Sequence, residues 1–383
     1  MKERLGLKNR IKYFGGMILC VILSICVLMF GEHDSRDSEA EGLMVPLSAE
    51  AEDGDLDFGN VGSDDLKNEL HAQGTVTSVP TATPVVSQTG SGTEEDPLIL
   101  EDAQFSYAVV NGKASVTQVL DENAVELTVP AAIQGYPVTV IGEYLCQDMS
   151  GLKAISLPEG LEEISYNAFE NCSGLEEIIF PSTLTTIRDS AFFACNGLTK
   201  VALPKKLTNL EDYAFFGCDN LTELSLYRTS GLDMVFDMET ITKVTVMEGA
   251  TDIAESAFEY CSNLKEISLP SSLSTIRAYA FYDCVSLESI VIPQGVVSIG
   301  EDAFEGCTAL RDVVLPEGLL LIAEYAFYGC EALETLTLPD SITSIGDSAF
   351  DECANLVLWV GAESVGEEYV MGNDLLYEVK QSQ

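Results

Sequence analysis

The chain has 383 residues, and 19 Lys and Arg against 62 Asp and Glu give it a formal net charge of −43. This balance excludes general nucleic-acid binding, because such proteins use basic surfaces to displace the counterions around phosphates. It also disfavours docking onto an anionic lipid surface. Apolar residues make up 46% of the chain, which is enough to build a core, so most of the sequence is expected to fold.

The start of the chain combines positive charge with a long apolar run. Residues 1–30 contain five Lys and Arg against one Glu, and residues 13–30 carry no charge. A run of this length fits either a long signal peptide or a membrane anchor, since about 20 apolar residues span a bilayer. Because the preceding positive charge keeps the N-terminus cytoplasmic, both alternatives place the rest of the chain outside the cell or on its surface.

Residues 31–96 have the composition of an exposed linker. They hold 16 acids against two bases, and the stretch 73–92 is rich in Thr, Ser, Pro and Gly. Such a segment cannot bury enough apolar surface to offset its ordering entropy, so we expect it to hold the following domain away from a surface. Residues 53–64 resemble part of a calcium loop, but Phe58 stands where that loop requires Gly and Asp64 replaces its bidentate Glu, which favours a solvated acidic run.

An internal repeat dominates the remaining sequence. An Ala-Phe pair is followed by Cys three residues after the Phe and by Leu three residues later, almost always at a spacing of 23. The three columns are Phe169, Phe192, Phe215, Phe258, Phe281, Phe304, Phe327 and Phe350; Cys172, Cys195, Cys218, Cys261, Cys284, Cys307, Cys330 and Cys353; and Leu175, Leu198, Leu221, Leu264, Leu287, Leu310, Leu333 and Leu356. With Leu152 before them and Ile241 inside the one 43-residue gap, the columns predict ten coils. The coil that ends at Ile241 is short and lacks the Ala-Phe…Cys element.

Each copy contains the signals of a strand and of a tight turn. In residues 299–319 the alternating Leu-x-x-Val-x-Leu segment predicts a short strand, which Pro316 ends because proline cannot continue a ladder. The Ala-Phe-x-x-Cys segment has two apolar residues three apart, which suits a tight helical turn. One copy cannot bury its own apolar side, so the copies must stack. The predicted fold is therefore a repeat solenoid with one short parallel strand and one tight helical turn per 23-residue coil.

The pattern Leu-x-x-Ile-x-Leu-Pro-x-x-Leu-x-x-Ile-Gly-x-x-Ala-Phe-x-x-Cys resembles the BspA-like leucine-rich repeat of bacterial surface proteins. The match covers roughly residues 136–360. The resemblance implies a β-rich N-terminal cap over 97–140, a repeat array over 141–360 and a C-terminal cap over 361–383. It also implies a secreted or surface-attached protein used in adhesion or protein contact. Two departures are Tyr227 and Met247 at Pro positions.

No catalytic, metal or cofactor site is predicted. The only histidines, His33 and His71, lie in the linker, so the folded array lacks the usual general base. The array has neither a Cys-x-x-Cys pair nor a histidine to complete a zinc site. We expect its cysteines to be buried thiols that pack as small apolar groups, although stacking could bring neighbouring sulfurs close enough for occasional disulfides. The chain is therefore predicted not to be an enzyme.

The best candidate for binding is an aromatic row at the turn beside the Phe column, formed by Phe193, Phe216, Tyr260, Tyr282 and Tyr328. The competing interpretation is packing between neighbouring turns. Acids at the same position in other copies, such as Glu170 and Glu305, indicate that it can face water. We expect an exported, non-catalytic solenoid that binds an extracellular protein or another surface macromolecule. The alternative is a structural spacer of the cell envelope without a specific ligand, and a carbohydrate-binding role is weaker because Trp359 is the only Trp.

Overall fold

The repeat folds into a parallel β-solenoid in a computed structural model that describes residues 89–232 and 234–380. The predicted signal or anchor segment, the calcium-loop resemblance and nearly all of the linker lie outside these residues. In chain order the elements are β1 (Leu98–Glu101), β2 (Phe105–Val110), β3 (Lys113–Val119), β4 (Glu126–Thr128), β5 (Ala132–Ile133), β6 (Tyr136–Ile141), β7 (Ala154–Ser156), β8 (Glu163–Ile164), β9 (Thr186–Ile187), β10 (Lys200–Ala202), β11 (Asn209–Leu210), β12 (Glu223–Leu226), β13 (Lys243–Val246), β14 (Asp252–Ile253), β15 (Glu266–Ser268), β16 (Thr275–Ile276), β17 (Ser289–Val291), β18 (Ser298–Ile299), β19 (Asp312–Val314), β20 (Leu321–Ile322), β21 (Thr335–Thr337), β22 (Ser344–Ile345), β23 (Val357–Val360), α1 (Val365–Gly372) and β24 (Leu376–Val379).

The Leu-x-x-Ile-x-Leu segments form one line of parallel strands. β10, β12, β13 and β15 pair in sequence, and the register places Lys200 opposite Glu223 and Glu223 opposite Lys243. At the two ends, β4 pairs with β7, and β24 pairs with β23. With the bridge that joins Ala154 and Glu177, twelve positions follow one another along this line, two more than the ten coils that the Leu column predicts.

A second line of shorter parallel strands follows the Pro-x-x-Leu turns. It runs through β6, β8, β9 and β11, stops, and resumes through β14, β16, β18, β20 and β22. The break coincides with the short coil, where the side chain of Thr229 takes the place of a strand. Thr229 is only 3% exposed, and its Oγ1 accepts a hydrogen bond from the Ala254 amide at 2.8 Å. Thr229 therefore caps the β14 side of the gap.

The expected helical turn at the Ala-Phe segment does not form a helix. In the coil of Phe304, the residues two before and two after it, Asp302 and Gly306, have φ of 54° and 72°. This alternation of left- and right-handed conformations gives tight turns but cannot propagate a helix. It aims the amides of Asp302, Phe304 and Gly306 at carbonyls of the next coil, at 3.1, 2.8 and 2.9 Å. The same pattern recurs along the array, so this edge is a third hydrogen-bonded ladder between coils.

The core of the solenoid contains a ladder of stacked phenylalanine rings. Neighbouring rings lie 4.9–5.5 Å apart with interplanar angles of 16° or less. The short coil contributes to the ladder after all, because Phe236 stacks on Phe215 at 5.3 Å and is buried. The coil lacks the Ala-Phe…Cys element, as predicted, yet it still places a Phe in the ladder. Phe236 escapes the pattern because neither an Ala before it nor a Cys three residues after it marks the position.

The two ends of the solenoid are covered by different elements. At the N-terminal end β1, β2 and β3 form an antiparallel sheet, and β3 pairs in parallel with β6. At the other end, Ser364 caps α1: its side chain accepts a hydrogen bond from the Glu367 amide, as expected of a helix N-cap. Within residues 89–232 and 234–380, α1 is the only helix, and no helix there is long and apolar enough to cross a membrane.

Substituting Phe304 with Ala is expected to lower the free energy of unfolding by about 3–5 kcal/mol, because the ring is fully buried between two other rings and its loss leaves a cavity. Denaturant unfolding followed by circular dichroism measures this loss. The control is Ile179→Ala, since Ile179 is 74% exposed and its truncation should change stability by less than about 0.5 kcal/mol. Equal effects at the two positions would contradict the ladder's role.

Candidate binding surface

The aromatic row lies on the third ladder, directly beside the Phe stack. In the eight coils with an Ala-Phe pair, the residue after the Phe is half-buried, whether it is aromatic or acidic. These residues are Glu170, Phe193, Phe216, Glu259, Tyr282, Glu305, Tyr328 and Asp351. The backbone of each coil bonds to the next along this edge, so side chains at this position are held one coil apart. Tyr260, one residue further on, is 47% exposed and is the most accessible member of the row.

The structure brings the five predicted residues together as two pairs and a separate tyrosine. The rings of Phe193 and Phe216 stack with centroids 6.4 Å apart, and those of Tyr260 and Tyr282 meet edge to face at 5.5 Å. The short coil separates the two pairs, and the coil of Glu305 separates Tyr282 from Tyr328. The side chains therefore pack on one another between coils and also keep part of their surface in contact with solvent.

Three further tyrosines extend this surface. Tyr213, Tyr279 and Tyr325 each precede a ladder Phe by two residues, and their rings lie 5.7–5.9 Å from Phe216, Tyr282 and Tyr328 of the same coil. The sequence carried a signal for them, since the tripeptide Tyr-Ala-Phe occurs in all three coils. We call the resulting surface the aromatic edge. Its members are Phe193, Tyr213, Phe216, Tyr260, Tyr279, Tyr282, Tyr325 and Tyr328.

Four of these tyrosines occupy an unfavourable backbone conformation. Tyr213, Tyr260, Tyr279 and Tyr325 have φ between 55° and 62°, the left-handed region that bulky residues rarely adopt. Corresponding positions in other coils carry residues that tolerate this region better, among them Asn171 and Gly217. Tyrosine therefore occupies backbone positions at which Asn or Gly would have a lower conformational energy.

Carboxylates lie among the rings at the centre of the edge. Asp302 is only 6% exposed and forms side-chain hydrogen bonds with Tyr279 and Glu305. Burial, followed by the hydrogen bond and charge of Asp302 and the charge of Asp283, raises the pKa of Glu305 to about 8. Burial and the charge of Glu305 raise the pKa of the Tyr282 hydroxyl. This part of the edge therefore changes charge near neutral pH.

The stability of the protein should fall as pH rises from about 4.5 to about 8, because the folded state retains a proton on Glu305 that the unfolded chain releases over this range. Glu305→Gln cannot ionise and should flatten this part of the dependence. Melting temperatures recorded at several pH values measure the effect. Glu331→Gln, a change at an exposed acid, should retain the wild-type slope. An unaltered slope in Glu305→Gln would contradict the assignment.

The array cysteines lie inside the coil, next to the Phe ladder. The predicted burial is confirmed for eight of them, and Cys353 in the last repeat is half-buried; all nine are free thiols. Most of the thiols donate to a carbonyl of the preceding coil, as Cys307 does to Phe281 at 3.1 Å. Burial raises the pKa of Cys172 and Cys218 to about 12, whereas a hydrogen bond from Cys330 lowers the pKa of Cys353.

Alkylation of the native protein at neutral pH should modify Cys353 well before the other array cysteines, since its pKa is lowered and it is only half-buried, whereas the other eight are buried and lack access to the reagent. Peptide mapping by mass spectrometry after timed labelling identifies the modified positions and separates them from Cys20 and Cys26. Labelling in denaturant provides the comparison, where all nine should react alike. Equal native rates at Cys353 and Cys307 would refute this expectation.

Within the part of the chain that the structure describes, no group of three or more His, Cys, Asp or Glu side chains is placed to hold a metal ion. The two histidines fall outside that part. The aromatic edge offers flat aromatic surface, tyrosine hydroxyls and a few carboxylates. Aromatic residues of this kind are enriched at protein interfaces, where they bury large areas at low entropic cost.

The repeat region matches the model of a known protein family. The model of the BspA type leucine-rich repeat region matches residues 139–233 and 232–357 with six copies, which is more than half of the chain. The chain therefore belongs to the BspA-type leucine-rich repeat family. No curated protein sequence matches it significantly.

Several solved structures are similar to the chain. A leucine-rich cell surface protein from Faecalibacterium prausnitzii is 22% identical, with 75% of this chain and 96% of that chain covered and a TM-score of 0.32. A leucine-rich repeat protein from Bacteroides ovatus is 18% identical, with 73% and 99% covered and a TM-score of 0.33. The pneumococcal vaccine antigen PcpA is 19% identical, with 77% and 100% covered and a TM-score of 0.33. Family membership rests on the repeat match and not on these structures.

Proposed function

We propose that the protein is exported, is held at the bacterial cell surface, and binds an extracellular protein through the aromatic edge without catalysis. Export is supported by the basic start and the apolar run at residues 13–30. The repeat family is consistent with this location, since one similar structure is described as a cell surface protein. The mass of the mature N-terminus would distinguish a cleaved signal peptide from a retained anchor.

The observation that carries the binding proposal is the backbone conformation of the edge tyrosines. Tyr260 at φ 62° makes no ladder contact that Asn or Gly could not make through the backbone, and its ring is 47% exposed. Fold stability alone would favour a smaller residue there. Strained positions of this kind persist where the side chain serves another purpose, and contact with a partner is the purpose that an exposed ring fits best.

The composition of the edge favours a protein partner. Rings that are already packed against one another lose little side-chain entropy on binding, and tyrosine hydroxyls at their margins can bond to a partner's backbone. Nucleic acid is opposed by the charge of −43. The aromatic row described from sequence and its extension through Tyr213, Tyr279 and Tyr325 form the proposed contact surface.

Substituting Tyr260 and Tyr325 together with Asn is expected to weaken partner binding by roughly tenfold or more, because exposed aromatic anchors dominate interface energies. Asn tolerates the left-handed conformation at both positions, so relief of backbone strain should offset the lost packing against Tyr282 and Tyr328, and the variant should fold. The measurement is biolayer interferometry of the full chain against a panel of purified extracellular proteins.

The matched control is Tyr377→Asn, the same change at a 37% exposed tyrosine on β24, outside the edge and without a left-handed backbone conformation. It should bind as the wild type does. Absence of a specific partner across the panel would favour the structural spacer. Equal affinities for the wild type and the double variant would remove the aromatic edge as the contact surface while leaving the family assignment intact.

A further inference from the structure

A cleft lies between the short coil and the coil before it. Strand β12 lies only 20 residues before β13, and Tyr227 replaces the proline that ends the strand in most other coils. The cleft has a volume of about 60 Å³ and a floor of leucines that includes Leu203, Leu207 and Leu232. Tyr227 and Pro204 form its wall.

Two cations, Lys205 and Arg228, also line this cleft. Both residues are exposed, and the ammonium of Lys205 lies 5.8 Å from the centre of the Tyr227 ring. Lys206, the next residue along the chain, is exposed as well. The cleft therefore combines an apolar floor with a positively charged rim, on a chain that is otherwise strongly acidic.

The charge pattern of the remaining surface sets this rim apart. Residues 89–232 and 234–380 contain twelve Lys and Arg, and eight of them form an ion pair with a carboxylate. Of the four without a carboxylate partner among these residues, three are Lys205, Lys206 and Arg228. With so many acids available, cations at random positions would find partners, as Lys200 does in Glu177. The rim instead leaves its positive charge available to a ligand.

We propose that this cleft docks a segment of a partner protein that places a carboxylate next to an aliphatic side chain. The aliphatic group would enter the leucine floor, whose volume suits a small side chain, and the carboxylate would lie between Lys205 and Arg228. A site with both cations and an apolar floor binds a carboxylate next to an aliphatic side chain better than it binds the carboxylate or the aliphatic side chain alone. A long polyanion is opposed by the surrounding acids, which limits the ligand to one or two carboxylates.

The cleft lies on the Pro-x-x-Leu turn, whereas the aromatic edge lies on the Ala-Phe turn, so the two surfaces occupy different corners of the coil. The proposal rests on the proposed function only in taking the partner to be a protein. Loss of peptide binding at the cleft and loss of partner binding at the edge can be observed separately, because each has its own variants.

The test is selection of short random peptides displayed on phage against the immobilised full chain in mild detergent. The expected result is enrichment of peptides with Asp or Glu next to Leu, Ile or Val, with affinity that falls as salt is raised. A selected peptide and its amide counterpart, with Asn or Gln for the acid, are then compared by isothermal titration. Selection of no peptide, or of peptides without an acidic preference, would overturn the proposal.

Charge reversal locates the site. Arg228→Glu and, separately, Lys205→Glu should weaken the selected peptide by roughly tenfold or more. Lys265→Glu is the matched control, since Lys265 also lacks a carboxylate partner among the described residues but lies away from the cleft; it should bind normally. The Tyr260 and Tyr325 double variant should also bind normally. Equal weakening by Lys265→Glu would assign the effect to overall charge and refute the cleft.

Discussion

In-register stacking of the coils is the constraint on which the rest of this structure depends. Most coils bond to the next along two lines of strands and along a third ladder of alternating left- and right-handed residues, with interruptions that include the short coil. Each side chain therefore meets its own counterpart from the neighbouring coil. Between regular coils a phenylalanine stacks on a phenylalanine, as Phe304 does on Phe327. Substitutions inside the coil are consequently felt by three coils at once, whereas substitutions on the outward strand positions are not.

In-register stacking also determines which charged side chains meet between coils. Several ion pairs join equivalent or nearly equivalent positions of adjacent coils, such as Lys153 with Glu176 and Arg311 with Glu288. Each exposed pair contributes little to stability, about 0–1 kcal/mol. Where acids meet acids, stacking has the opposite effect. Asp283 and Glu305 are brought together beside the buried Asp302, and the outcome is a carboxyl group that titrates near neutral pH.

Sequence reasoning predicted the parts that repeat and missed the parts that do not. The Phe, Cys and Leu columns recur at a spacing of 23, so stacking and the direction of each side chain followed from them. The sequence pattern did not reveal Phe236, because its coil is short. It did not reveal the strands β4 and β24 either, because their segments lack the Phe, Cys and Leu of the columns. The turn was misassigned for a different reason: a spacing of three between Phe and Cys suits a helical turn and also an alternating backbone. Only φ values distinguish these two. Of the candidate surface, five members were predicted, and the three tyrosines before the ladder were overlooked although a tripeptide marks them.

The gap in the second line of strands has a mechanical meaning. A continuous ladder of backbone hydrogen bonds makes the array stiff, so the array is less stiff where the ladder is interrupted. Between β11 and β14 no strand pair of the described residues continues the line, and the side chain of Thr229 bonds only to the β14 side. Backbone pairing along this line is therefore sparser at the short coil than between regular coils, and local opening of the array is expected to begin there.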